Sequence, residues 1–171
     1  QAAIDELGDT TVAEAERRAA FRELLTTHFD MANLSRFVLG RYWRTASETE
    51  RAAFREAFID MSTARFLPMF ESAKAHGTEI RILRARPAPD RARLFHVETK
   101  VQLPDYDNVT MHVTWHLRRE TPGPDGFRVA DVRSEGVSMA IMLRAEYASV
   151  LKRNNGDIAV LIDRMDRIAQ R

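Results

Sequence analysis

The chain is expected to fold as an α+β protein, a curved antiparallel four-stranded sheet covered by N-terminal and C-terminal helices around an apolar cavity. Three observations predict this. Apolar residues recur at helical spacing up to about residue 75, they alternate with polar ones between 78 and 137, and helical spacing returns from 138 to 170. No internal repeat or low-complexity tract interrupts the order. A single domain over residues 1–171 is therefore expected, with a helical part at 10–75, a sheet at 78–137 and closing helices at 138–170.

The first helix is introduced by Thr11 and Glu14, a capping-box pair. Ala15, Ala19, Phe21, Leu24, Leu25, His28 and Phe29 then follow one helical face, which predicts an end near Phe29. Asp30 or Asn33 can cap a second helix, in which Leu34, Phe37, Val38 and Tyr42 line up. Ser47 and Glu50 form another capping box. The helix after it carries Phe54, Ala57, Phe58, Met61 and Arg65, and is expected to bend or end at Pro68, which lacks a donor and clashes with the preceding turn.

The middle reads as four strands. The first spans 78–86, between Gly77 and Pro87. In the second, Phe95, Val97, Thr99, Val101 and Leu103 point one way, while His96, Glu98, Lys100 and Gln102 point the other. The third repeats the pattern with Val109, Met111, Val113, Trp115 and Leu117 against Thr110, His112, Thr114, His116 and Arg118. The intervening PDYDN is a turn composition, so these two strands should form a hairpin. A one-residue slip would set apolar rows against polar ones. The matching register pairs Phe95 with Leu117, Val97 with Trp115, Thr99 with Val113 and Val101 with Met111, and sets His96 opposite His116 and Lys100 opposite His112.

The fourth strand, 127–137, departs from alternation. Phe127 and Val129 share a face, yet Val132 has the wrong parity. Either a bulge lies near Ala130 and Asp131 or Asp131 faces the apolar side; the curvature of such a sheet favours the bulge. The strand turns at Gly136 into a Met-rich helix with Met139, Met142, Leu143, Tyr147, Val150 and Leu151 at helical spacing. Asn154, Asn155 and Gly156 stop it. Asp157 can cap the last helix, whose apolar face is Ile158, Leu161, Ile162, Met165 and Ile168.

Composition excludes several function classes. With 26 basic and 25 acidic residues the formal net charge is +1, so no cationic field points to nucleic acid. No run approaches the roughly 18 apolar residues of a membrane-spanning helix, and the opening QAAIDELGD has neither a basic nor an apolar stretch of an export signal, which suits a mature exported form and equally a fragment. Zero cysteine removes disulfides, thiolate metal sites and a cysteine nucleophile. Lys74, Lys100 and Lys152 are the only lysines, which leaves arginine as the expected anion contact.

Catalytic and metal patterns are sparse. His96 and His116 are close enough across strands to share an ion, but His112 lies about 13 Å along the strand from His116, so a solvated polar face is the better reading. There is no G-x-S-x-G elbow, no base beside Ser138 and no glycine-rich phosphate loop. One enzymatic alternative is a small isomerase-like or dehydratase-like cavity using Asp131 as base, with Tyr42 or Tyr147 as donor. It requires Asp131 to face inward. A binding reading needs only an apolar volume with a polar rim, for which Met61, Met111, Met139 and Met142 supply adaptable side chains.

Two segments carry a resemblance. The LGRYWR run at Leu39, Gly40, Arg41, Tyr42, Trp43 and Arg44, together with Asp131, Val132, Glu135, Gly136, Val137, Ser138, Arg144, Glu146 and Tyr147 of DVRSEGVSMAIMLRAEY, resembles the MlaC family of periplasmic phospholipid-binding proteins and its toluene-tolerance and hopanoid-associated relatives. The likeness runs from about Phe21 to Ile168. Met139 is more like the hopanoid-associated branch.

The resemblance implies a periplasmic, monomeric carrier rather than an enzyme, with no metal and no cofactor beyond its bound lipid. It would take a phospholipid, or alternatively a hopanoid, by its apolar part and shuttle it between an outer-membrane lipoprotein complex and the inner-membrane MCE-domain subunit of an ABC transporter. The expected ligand-binding residues are Phe95, Val97, Val101, Met111, Val113, Trp115, Val137, Met139, Leu143 and Tyr147. Arginines at the mouth would attract phosphate, and the sequence does not choose among them.

Overall fold

A computed structural model describes residues 7–88, 91–103, 109–121 and 126–170; the side chains of Arg91 and Ala92 lie outside that description. Helix α1, Glu14–His28, opens with Glu14 and Glu16 in its first turn, where acidic groups favour the helix dipole. The expected capping box at Thr11 does not form. Thr11 instead donates its N–H and hydroxyl to Asp9 Oδ1 at 3.0 and 2.6 Å, and Ala13 takes the N-cap position without a side-chain bond.

Helix α2, Met31–Leu39, is capped by Asp30, whose carboxylate accepts the Asn33 N–H at 3.3 Å. Gly40 ends it at φ 61° and ψ −129°, a backbone setting that only glycine adopts cheaply. A 3-10 turn, Gly40–Arg44, follows. The Ser47 and Glu50 capping box is fully formed at the start of helix α3, Glu48–Ala75.

Helix α3 runs through Pro68 instead of ending there. Proline forfeits one ladder bond, and packing on both sides of it offsets the loss. Leu67 is buried, Phe66 and Phe70 pack on the core, and the Phe70 ring meets Phe21 edge-on at 5.0 Å.

The sheet is open and antiparallel, in the order β1-β2-β3-β4-β5. Strand β1 is Glu79–Ala88, longer than expected because Pro87 is tolerated on an edge strand. Strands β2, Arg91–Leu103, and β3, Val109–Arg119, pair in the register that alternation requires, including His96 with His116 and Lys100 with His112. The expected turn at 104–108 lies outside the described residues, as does most of the loop before β4.

Strand β4, Phe127–Ser134, contains the bulge. Leu117 pairs with Val129 and His116 with Asp131, so Ala130 is the extra residue. The run expected as one strand to residue 137 is a tight hairpin instead. Glu135 and Gly136 take φ 48° and 80°, the pair of left-handed residues that a two-residue turn demands. Ser134 then pairs with Val137 of the added strand β5, Val137–Ser138. Glu135 is held there by His112, whose N–H it accepts at 2.6 Å and whose carbonyl receives its own N–H at 3.0 Å.

Helix α4, Met139–Arg153, is capped by Ser138, which accepts the Ile141 N–H at 3.1 Å. Its buried side is Ala140, Leu143, Tyr147, Val150 and Leu151; Met142, expected on that stripe, is exposed. Asn155 and Gly156 end it with positive φ. Asp157 caps helix α5, Ile158–Ala169, by accepting the Ala159 N–H at 2.9 Å.

Two apolar systems result. The helices share one contiguous core that includes Phe21, Leu39, Phe54, Met61, Leu151 and Leu161, and no residue of β1 to β4 belongs to it among the described residues. The sheet buries Thr99, Val101 and Val113 separately. Strand β4 and the short β5 carry the main contacts between sheet and helices. At the outer edge of β4, Phe29 bridges to Val129, and the Asp30 N–H donates to the Val129 carbonyl at 2.9 Å.

Candidate functional site

Directly paired residues of a sheet share a face, so the register sorts the side chains. One face carries Ile80 and Ala85 of β1, Phe95 to Leu103 at every second position of β2, and Met111, Val113, Trp115 and Leu117 of β3. It continues with Phe127, Val129 and Val132 of β4. The opposite face carries Arg84, Arg86, His96, Glu98, Lys100, His112, His116, Arg118, Arg128, Asp131 and Arg133. The Ala130 bulge keeps the sorting intact in β4, because it returns Val132 to the apolar side and turns Asp131 to the polar one.

Six of the residues expected to bind ligand, Phe95, Val97, Val101, Met111, Val113 and Trp115, therefore lie together on the apolar face. Val137 reaches the same face through its pairing with Ser134, which is opposite Val113, but is 62% exposed. The other three belong elsewhere. Leu143 and Tyr147 are buried in the helical core and Met139 packs against it. Tyr147 sits edge-on to Phe54 and Phe58, each 6.2 Å away. Burial raises its phenol pKa well above the ordinary value, and its hydroxyl has no hydrogen-bond partner among the described residues.

Thr99 interrupts the apolar face without an unmet polar group. Its hydroxyl donates to the Val113 carbonyl and accepts the Trp115 Nε1–H, both at 3.1 Å. Buried polar groups need such partners, and the pair of bonds fixes the indole on the face. Thr99, Leu117 and Phe127 were legible as members of the row but absent from the expected site.

One end of the row is aromatic. Phe95 and Phe127 meet edge-on at 5.2 Å, and the Arg119 guanidinium lies 5.0 and 4.8 Å from their ring centres. Phe127 is paired with Arg119 and Phe95 with Leu117, so all four side chains share the apolar face. Arg119 is two residues beyond Leu117 on β3, so alternation alone places it on this face, and the pairing of β4 sets it opposite Phe127.

The polar face spends its groups on structure. Asp131 accepts the Ser138 hydroxyl at 2.6 Å and the Ala140 N–H at 3.1 Å, and lies 3.6 Å from Arg133. Its carboxylate thus holds the start of α4. The enzymatic alternative requires Asp131 among the apolar side chains, and that geometry is not the one found. The His96 and His116 rings lie 4.2 Å apart, tilted by 37°. Burial lowers the His116 pKa below its ordinary value, with His96 and Arg133 acting in the same direction and Asp131 opposing them. Among the described residues no three ligating side chains group to hold a metal, and no helix is long and apolar enough to cross a membrane.

The paired residues of the apolar face include no carboxylate and no histidine. Such a surface can hold an apolar or amphipathic molecule.

Comparison with known proteins gives a family and a fold. The model of the family described as MlaC protein matches residues 1–167. The fold is similar to that of a phospholipid-binding protein from Ralstonia solanacearum, solved in complex with a phospholipid. The two share 15% sequence identity and a TM-score of 0.71, over 99% of this chain and 93% of that one. No curated protein matches the sequence.

Proposed function

The chain belongs to the MlaC family, and we propose that it is a phospholipid carrier that receives acyl chains along the apolar face of the sheet, at Phe95, Val97, Val101, Met111, Val113 and Trp115. The observation that carries this reading is the sorting of the sheet. A continuous apolar row crosses three strands yet lies outside the contiguous helical core. Each methylene buried there gains about 0.8 kcal/mol over water, which suits a molecule that must move lipid through an aqueous space. The phospholipid held by the structurally similar protein supports the same ligand class.

In this reading one domain works in the periplasm between an outer-membrane lipoprotein complex and the MCE-domain subunit of an inner-membrane ABC transporter. Donor and acceptor are both apolar, so net transfer can sit near balance and needs no chemistry in the carrier itself. Native mass spectrometry of protein purified without detergent tests the proposal. A bound mass near one lipid per chain, identified as phospholipid after solvent extraction, is the expected result. A hopanoid mass would reassign the ligand, and protein that is empty and takes up no lipid from vesicles would end the carrier reading.

A further inference from the structure

The apolar row is graded along β3. Val113 is buried, Trp115 and Leu117 are half-buried, and Arg119 is exposed. These four span about 20 Å at the usual strand rise. On β3 and β4, Arg119 is also the only charged residue among the paired residues of that face. An amphiphile laid along the row with its chains at Val113 would bring its head to Arg119.

Most of the arginines that pair on the other face have acidic partners. Arg84 and Arg86 pair with Glu98, Arg118 with Asp30, and Arg133 lies by Asp131. Arg119 has no carboxylate partner among the described residues. Its nearest acid in sequence, Glu120, is already engaged at 2.9 Å by Arg118 and at 3.9 Å by Arg128. Its contacts are the Phe95 and Phe127 rings. Stacking on rings suits a weakly hydrated, planar guanidinium and leaves its N–H fork free for a bidentate oxyanion.

We infer that Arg119 receives the phosphate of the bound lipid and makes the carrier selective for phosphate-bearing over uncharged amphiphiles. The inference rests on the carrier reading and deepens it by assigning the headgroup end. Phe95 and Phe127 position the guanidinium, and the absence of acid from the paired residues of this face removes the competitor that would occupy it.

The test compares chain-labelled phosphatidylglycerol with diacylglycerol of the same chains, on the full chain and on Arg119→Gln and Arg119→Lys. Arg119→Gln should weaken phosphatidylglycerol binding roughly tenfold, as expected for loss of a charge-assisted contact. It should leave diacylglycerol unchanged, and Arg119→Lys should fall between. If both lipids bind the unaltered protein and Arg119→Gln affects neither, or both alike, the headgroup assignment is wrong while the carrier stands. Binding of neither lipid refutes the carrier reading and this inference with it. Inorganic phosphate serves as a third ligand. If it saturates Arg119 on its own while lipid selectivity survives in Arg119→Gln, Arg119 serves a free anion and the inference fails.

Discussion

Gly40 and Arg144 lie against each other. A side chain at position 40 would place its Cβ 3.2 Å from Arg144 Nε, and the same guanidinium covers the Phe37 ring at 4.9 Å. The two segments that carry the family resemblance, one in the LGRYWR turn and one on α4, are thus in direct contact. Gly40→Ala should cost about 1–3 kcal/mol, chiefly from forcing an L side chain into that backbone setting. Urea unfolding measures it. The double variant with Arg144→Ala should remain destabilised, because the flexible guanidinium can retreat and the backbone cannot; full recovery would assign the cost to the contact instead.

Tyr147→Phe should raise stability by about 1 kcal/mol, since it removes a buried hydroxyl that has no partner among the described residues. The phenol's raised pKa adds a pH signature. Folding then stabilises the protonated form, so its contribution is complete below the unfolded value of about 10 and is lost as pH rises above it. Melting curves in alkaline buffer should fall less steeply for the Phe variant.

Asp131→Ala would strip the acceptor from both the Ser138 hydroxyl and the Ala140 N–H. A loss of about 2 kcal/mol is expected, the scale of a charged helix cap. Hydrogen exchange should quicken first at Ala140. Asp131→Asn, which keeps one acceptor oxygen, should lose less, and equal losses would mean that charge matters more than the bonds.

Acid should weaken the fold through His116. Its pKa is lowered in the folded state, so the unfolded chain binds the proton more readily and stability drops as pH falls through the ordinary histidine value. Between about pH 7.5 and about pH 5, the melting temperature of His116→Gln should change less than that of the unaltered chain. The groups facing His116 are His96, Arg133 and Asp131, and a His96→Gln variant should share part of the effect. Identical profiles for all three proteins would contradict it.

Much of the sheet was legible because alternation has a period of two and a slip is expensive. The pairs of Phe95 with Leu117 and Val101 with Met111 follow from that alone, whereas the broken parity of β4 left a bulge near Ala130 and Asp131 as the favoured of two readings until the pairing of β4 placed it at Ala130. The helices were read less completely. Thr11 lost its cap to the neighbouring Asp9, a local competition invisible to spacing, and Pro68 stayed inside α3 because distant residues such as Phe21 pack beside it. Periodicity also says which side of an element is apolar but not what it meets. Tyr147 and Leu143 lie on the apolar side of their helix as read, yet that side faces Phe54 and Phe58 in the helical core.

Without Ala130 the strand would read Phe127, Arg128, Val129, Asp131, Val132, Arg133, Ser134, an unbroken alternation in which every side chain keeps its present face and its present partner on β3. The residue is therefore a spacer that adds bend and nothing else. Under the proposed carrier reading, its deletion leaves the same chemical lining on a straighter wall, and so offers a way to ask how much of lipid capture belongs to shape and how much to composition.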